Sequence, residues 1–138
     1  MSKITAVQAV ENFWAEVWAS PQNPEAIDRL VVEDFVITTG GIDVVSRATF
    51  KEWVKNFQSK INDLEFDVFE TFQNAEGNRV ASRWRIRGKN NGVLGTAPDQ
   101  REISFTGTAV WAVREDGMLL HNWVERASWE LYLELTKK

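Results

Sequence analysis

At residue 62 the hydrophobic pattern of this chain changes period, and that change limits the folds open to it. Before it, apolar residues recur every three or four positions; after it they alternate. Val7, Val10, Trp14, Val17 and Trp18 mark the stripe of an amphipathic helix over residues 5–19. "SPQNP" breaks that helix, and Asn23 before Pro24 predicts an N-cap and a first helical position, opening a short helix through Leu30. "DFVITTGG" predicts a short strand ending in a glycine turn. Ser46 is then placed to cap a third helix striped by Phe50, Trp53, Val54, Phe57 and Ile61. Past residue 62, Leu64, Phe66 and Val68 alternate with acids, and Val80, Ser82, Trp84 and Ile86 alternate with arginines around the turn "NAEGN". The long connection "GKNNGVLGTAPDQ" leads to the strand "REISFTGTAVWAV", the turn "REDG" and the strand "MLLHNWVERA". Residues 128–136 form a brief terminal helix.

Three helices followed by about four long antiparallel strands, with one early strand, argue for an α+β fold. The helices would cover one face of a strongly curved, mainly antiparallel sheet, leaving a conical hollow suited to a small molecule. Residues 1–138 show no repeat, linker or low-complexity tract, and 138 residues suffice for one domain with its own core.

Composition removes several functions. The net charge of −4 and the lack of clustered Lys/Arg speak against nucleic acid and anionic membranes as partners. The run "RWRIRGK" (83–89) reads as the solvated face of a strand. With no cysteine and one histidine, thiolate nucleophiles, disulfides and Cys- or His-rich metal centres are excluded, and no Gly-rich phosphate loop suggests a cofactor. No window reaches membrane-spanning length and the start lacks a secretory h-region, so a cytoplasmic protein is expected. Seven tryptophans are the unusual count, pointing to a thick core or an aromatic-lined cavity.

The segments "NRVASRWRIRG", "GVLGTAPDQREISFTGTAVWAV" and "DGMLLHNW" leading to "LYLEL" resemble the SnoaL-like polyketide cyclase family, within the nuclear transport factor 2-like fold. They share that family's order of a strand ending in Gly, a "G-x-x-P-x-x-R" turn and "D-G-x-I-x-E-x-W", and the likeness runs from Val7 to Leu135. The resemblance implies a cone-shaped fold and a homodimer formed over the convex sheet face. It also implies cofactor-independent acid/base chemistry of a cyclase, isomerase or lyase on a hydrophobic, oxygenated molecule. The same fold hosts non-catalytic binders, the alternative expectation. Departures from the pattern are specific. The cyclase aspartate position, four residues after the last-strand tryptophan, is Ala127 here, and the acid or histidine common at the end of the first strand is replaced by Thr38 or Thr39. In the more distant ketosteroid isomerases the helix-one tyrosine would fall at Trp14 and the oxyanion-hole acid near Ala109.

Glu125 is then the candidate acid or base, with His121 two residues before Trp123 to assist it. Alternation sends residues 121, 123, 125 and 127 to one face, and Trp123 suggests that this face is inward. A carboxylate among indoles would be desolvated and suited to proton abstraction; paired with an arginine at the mouth, it would not. The opposite face offers Leu120, Asn122, Val124 and Arg126, and a single bulge would exchange the two sets. Trp14, Trp18, Trp53, Phe57, Trp84, Phe105, Trp111 and Trp123 are the expected substrate-binding or core aromatics.

Overall fold

The structure, a computed structural model, describes residues 4–137. Helix α1 (Ala6–Phe13) starts at a reciprocal cap: Thr5 Oγ1 accepts from the Gln8 N–H (3.1 Å), and the Gln8 side chain accepts from the Thr5 N–H (2.9 Å). It runs directly into a π-helical turn, Trp14–Trp18, closed by Ala19 N–H donating to the Trp14 carbonyl at 2.8 Å. The wider turn keeps Trp14, Val17 and Trp18 all buried. A 3₁₀ turn (Pro24–Ala26) with Asn23 at its N-cap leads into α2 (Ile27–Leu30); Asn23 holds the expected position but makes no side-chain capping bond. Ser46 does cap α3 (Arg47–Ser59), accepting from the Thr49 N–H at 3.2 Å, and α3 buries Phe50 and Val54 against the sheet.

Six strands lie side by side in a single mixed sheet in the order β2-β1-β6-β5-β4-β3. They are β1 (Val31–Thr39), β2 (Ile42–Val45), β3 (Ile61–Gln73), β4 (Arg79–Asn90), β5 (Glu102–Val113) and β6 (Leu119–Arg126), and β1 pairs parallel with β6 while all other neighbours are antiparallel. The terminal helix α4 (Ser128–Thr136) seats Leu131 and Leu135. The helices cover one face of a curved sheet, as expected. Strand β2 had no signal in the alternation pattern, because its four residues lie at the sheet edge and none is buried. The Gly/Asn connection between β4 and β5 is organised by buried Asn90. Its amide donates to Thr96, Ala97 and Asp99, and its oxygen accepts from the Gly92 and Val93 N–H groups.

The core lies between α1, the π turn, α3 and the concave sheet face. Alternate β4 residues Val80, Ser82, Trp84 and Ile86 point into it, while the intervening arginines face outward. Ser82 is the polar exception: its hydroxyl accepts from the Trp14 indole N–H and bonds Thr71, each at 3.0 Å. Trp84 can lie flat on the neighbouring strand because its register partner is Gly107; a Cβ there would meet the indole at 2.2 Å. Gly107→Ala is therefore expected to cost about 1–3 kcal/mol, the usual range for forcing extra volume into a filled core. Urea unfolding should show a lower midpoint with unchanged slope; an unchanged midpoint would mean that Trp84 moves aside freely.

Candidate functional site

An apolar hollow opens where the π turn, α3 and the concave sheet meet. Trp14, Trp18 and Phe13 supply one wall, Phe50, Trp53 and Phe57 a second, and Phe66, Trp84 and Ile86 a third. Ile37, Asn122, Val124 and Arg126, from β1 and β6, complete it. The aromatic rings are in mutual contact: Trp14 with Phe66 at 4.8 Å, Trp18 with Phe57 at 5.7 Å and Trp53 stacked on Phe57 at 5.5 Å between centroids. Packing is tight enough that the cavity volume is about 30 Å³, room for roughly two waters. The floor is buried, whereas Trp53, Phe57 and Arg126 at the mouth are half-buried. A bulkier guest would have to displace these three.

Of the expected aromatics, Trp14, Trp18, Trp53, Phe57 and Trp84 line the hollow. Phe105 and Trp111 stand behind it as core, Phe105 against Phe57 and Trp84, Trp111 against Phe13, Trp14 and Phe35. The expected orientation of β6 is corrected. Leu119 pairs with Val113 while His121 pairs with Ala112, so Leu120 is an extra residue at a bulge. Beyond it Asn122, Val124 and Arg126 face the hollow, and His121, Trp123 and Glu125 lie on the convex face. Trp123 is 38% exposed and stacks on His121 at 3.9 Å; Glu125 is exposed. Trp123 therefore does not mark the inner face, although the strand residues Trp84 and Trp111 do point inward. The better signal was Phe35 and Ile37 on β1, since Ile37 is the register partner of Asn122.

Three polar groups line this apolar space and a fourth lies behind it. Asn122 is 4% exposed and its Oδ1 has no hydrogen-bond partner among the described residues; an orphaned buried acceptor costs about 1–3 kcal/mol. The buried indole N–H of Trp84, another lining residue, is also unpartnered, as is that of Trp111 in the core behind. Arg126 extends over the mouth with its guanidinium carbon 4.8 Å from the Phe57 ring centroid and 5.3 Å from that of Trp53. Among the described residues it makes no ion pair. Burial in this aromatic mouth holds the guanidinium below its ordinary value, with the Glu125 carboxylate opposing the shift. Among the described residues no group of three His, Cys, Asp or Glu side chains could hold a metal, and no helix is long and apolar enough to cross a membrane.

On the convex face, Thr38 Oγ1 donates to Asp43 Oδ1 at 2.6 Å and lies 2.8 Å from His121 Nε2, which donates to it in turn. Burial holds the His121 imidazole below its ordinary value of 6.5; Asp43 opposes this and Arg79 adds to it. The folded chain thus binds fewer protons than the unfolded chain between the lowered value and 6.5, and stability rises with pH across that window. The contribution is lost as pH falls. His121→Gln should flatten this rise when urea midpoints are compared with wild type from about pH 5 to 8; parallel profiles would show that His121 titrates alike in both states.

No curated protein matches this sequence. Solved structures do match its fold. A candidate SnoaL-like polyketide cyclase from Jannaschia sp. CCS1 superposes with a TM-score of 0.87 at 14% identity, over 100% of this chain and 97% of that one. A candidate polyketide cyclase from Acidithiobacillus ferrooxidans gives 0.79 at 22% identity, over 98% and 97%. An NTF2-like protein of unknown function from Exiguobacterium sp. 255-15 gives 0.69 at 16%, over 86% and 97%. At these identities the likeness is one of fold, the cone-shaped nuclear transport factor 2-like α+β architecture. The family model for SnoaL-like polyketide cyclases matches residues 8–131, so the chain belongs to the SnoaL-like polyketide cyclase family.

Proposed function

We propose that the protein binds a hydrophobic, oxygenated small molecule in the aromatic hollow and does not turn it over by acid/base chemistry. One observation carries the reading: the polar side chains lining the hollow are Asn122, Arg126 and the indole edges, with no carboxylate or imidazole among them. Such groups orient an oxygen. They do not abstract a proton near neutral pH, which needs a base with a pKa close to that pH. Glu125 and His121, the expected acid and base, lie on the other side of the sheet. Indole and phenyl faces suit a flat ring system, and the half-buried rim of Trp53, Phe57 and Arg126 provides the way in. A cyclase role, which family membership brings forward, would rest on positioning and on stabilising a developing oxyanion by Arg126 and Asn122.

The convex face supports pairing with a second copy. Phe72, Ala81, Val110 and Trp123 are consecutive register partners across four strands, with Phe72 54%, Val110 38% and Trp123 38% exposed. A continuous apolar row on a sheet face is a self-complementary surface of the kind a twofold dimer buries.

Two measurements test these readings. A neutral bicyclic ketone such as 1-tetralone should quench tryptophan fluorescence saturably, and Glu125→Gln should leave its affinity unchanged; quenching without saturation would reduce the hollow to a packing defect. Sedimentation should give twice 15.8 kDa for the wild type and 15.8 kDa for Val110→Lys. A wild type that sediments as a monomer at high concentration would refute the dimer.

A further inference from the structure

Arg126 and Asn122 are unmatched in complementary ways. Arg126 is a cation in an aromatic mouth that makes no salt bridge among the described residues, the Glu125 carboxylate acting on it only from beyond contact distance, and removing a charge from water without a close partner is costly. Its planar fork of N–H donors matches a carboxylate in two parallel bonds. Asn122 has the opposite need. Its buried Oδ1 lacks a donor, and a carboxylate cannot supply one; a hydroxyl can. Both side chains stand on one face of β6 and line the same hollow, Asn122 in the floor and Arg126 at the mouth. Four residues apart on a strand, their Cα atoms are separated by roughly 13 Å.

From this pairing we infer that the hollow takes a hydrophobic hydroxy-carboxylate, with the carboxylate on Arg126 at the mouth and the hydroxyl donating to Asn122 Oδ1 in the floor. The two oxygen groups sit at opposite ends of a flat, fused aromatic frame, because side chains on adjacent ring carbons would meet only one of the two residues. Trp53 and Phe57, now stacked beneath the guanidinium, swing outward to admit the ring and then flank it. The negative charge of a bound carboxylate opposes the lowering that desolvation imposes on the Arg126 guanidinium, as Glu125 does from farther away. The inference rests on the binding reading above and adds the chemistry of the guest.

The test is a fluorescence titration with 6-hydroxy-2-naphthoate, its methyl ester and unsubstituted 2-naphthoate. Wild type should bind the acid at least about tenfold more tightly than the ester, the scale of one charge-assisted hydrogen bond. Arg126→Gln should remove that preference while leaving the ester affinity in place. Asn122→Leu should remove the advantage of the hydroxylated over the unsubstituted acid and leave the preference for acid over ester. Circular dichroism confirms that each variant is folded, and Arg126→Lys, with the charge but not the fork, should retain an intermediate preference. Equal binding of acid and ester by wild type, or a preference that survives Arg126→Gln, would overturn the anion assignment and leave the binding reading standing. Saturable binding of neither compound would overturn both.

Discussion

The concave face of the sheet is largely apolar, broken by Ser82 of β4 and by Asn122 and Arg126 of β6, and a face of that kind has to be covered. Helix α1, the π turn and α3 do this chiefly with rings, which fill a curved space with few side chains and contribute large buried areas. The choice has a consequence for polar groups. Of the three indoles at the centre, Trp14, Trp84 and Trp111, only Trp14 meets an acceptor, Ser82, placed for it by the alternation of β4. Trp84 finds its space because β5 offers Gly107 rather than a side chain. The site is the part of the hollow that this filling leaves open, a narrow volume whose lining includes the unmatched polar atoms Trp84 Nε1 and Asn122 Oδ1.

The sheet also separates two kinds of chemistry. Glu125 and His121 of β6 face outward with the arginines of β4, where water and mutual pairing satisfy such groups; Asp67, for example, is shared by Arg85 and Arg87. One cation and one amide of β6 face inward. An interior of this composition can hold and orient an oxygen without exchanging its proton. That division distinguishes this chain from a fold-mate with a carboxylate in its hollow, and it stems from the parity of one strand.

Most of the architecture was legible in the sequence because it depends on period. The helical stripes, the change near residue 62 and the start signals at Ser46 and Pro24 are local, and the helices and long strands stand close to where those patterns predict them, except that Ile61, assigned to the third helical stripe, opens β3 instead. The site was legible only in part. The aromatics of α1 and α3 were found by helical phase, but the orientation of β6 turned on the bulge at Leu120, which the local pattern does not encode. Trp123 misled because an aromatic residue packs as readily against His121 on the convex face as against the core. Arg126 and Asn122 belonged to the other parity set and gained their meaning only when Ile37 fixed the face of the neighbouring strand.

The π-helical turn at Trp14–Trp18 bears on how this chain compares with its relatives. Every residue added to an α-helix rotates the rest of the helix by about 100°. A turn that absorbs one extra residue lets the chain beyond it resume the phase it would have had without the insertion. Trp18 therefore meets Phe57 and Phe66 from the end of this wider turn, and Gln22, in the segment that follows it, donates to the Leu64 carbonyl. Alignment with a relative that runs as an unbroken α-helix here should open a one-residue gap within 14–18. Such a gap records a difference in helical winding, with the wall of the hollow kept on both sides of it.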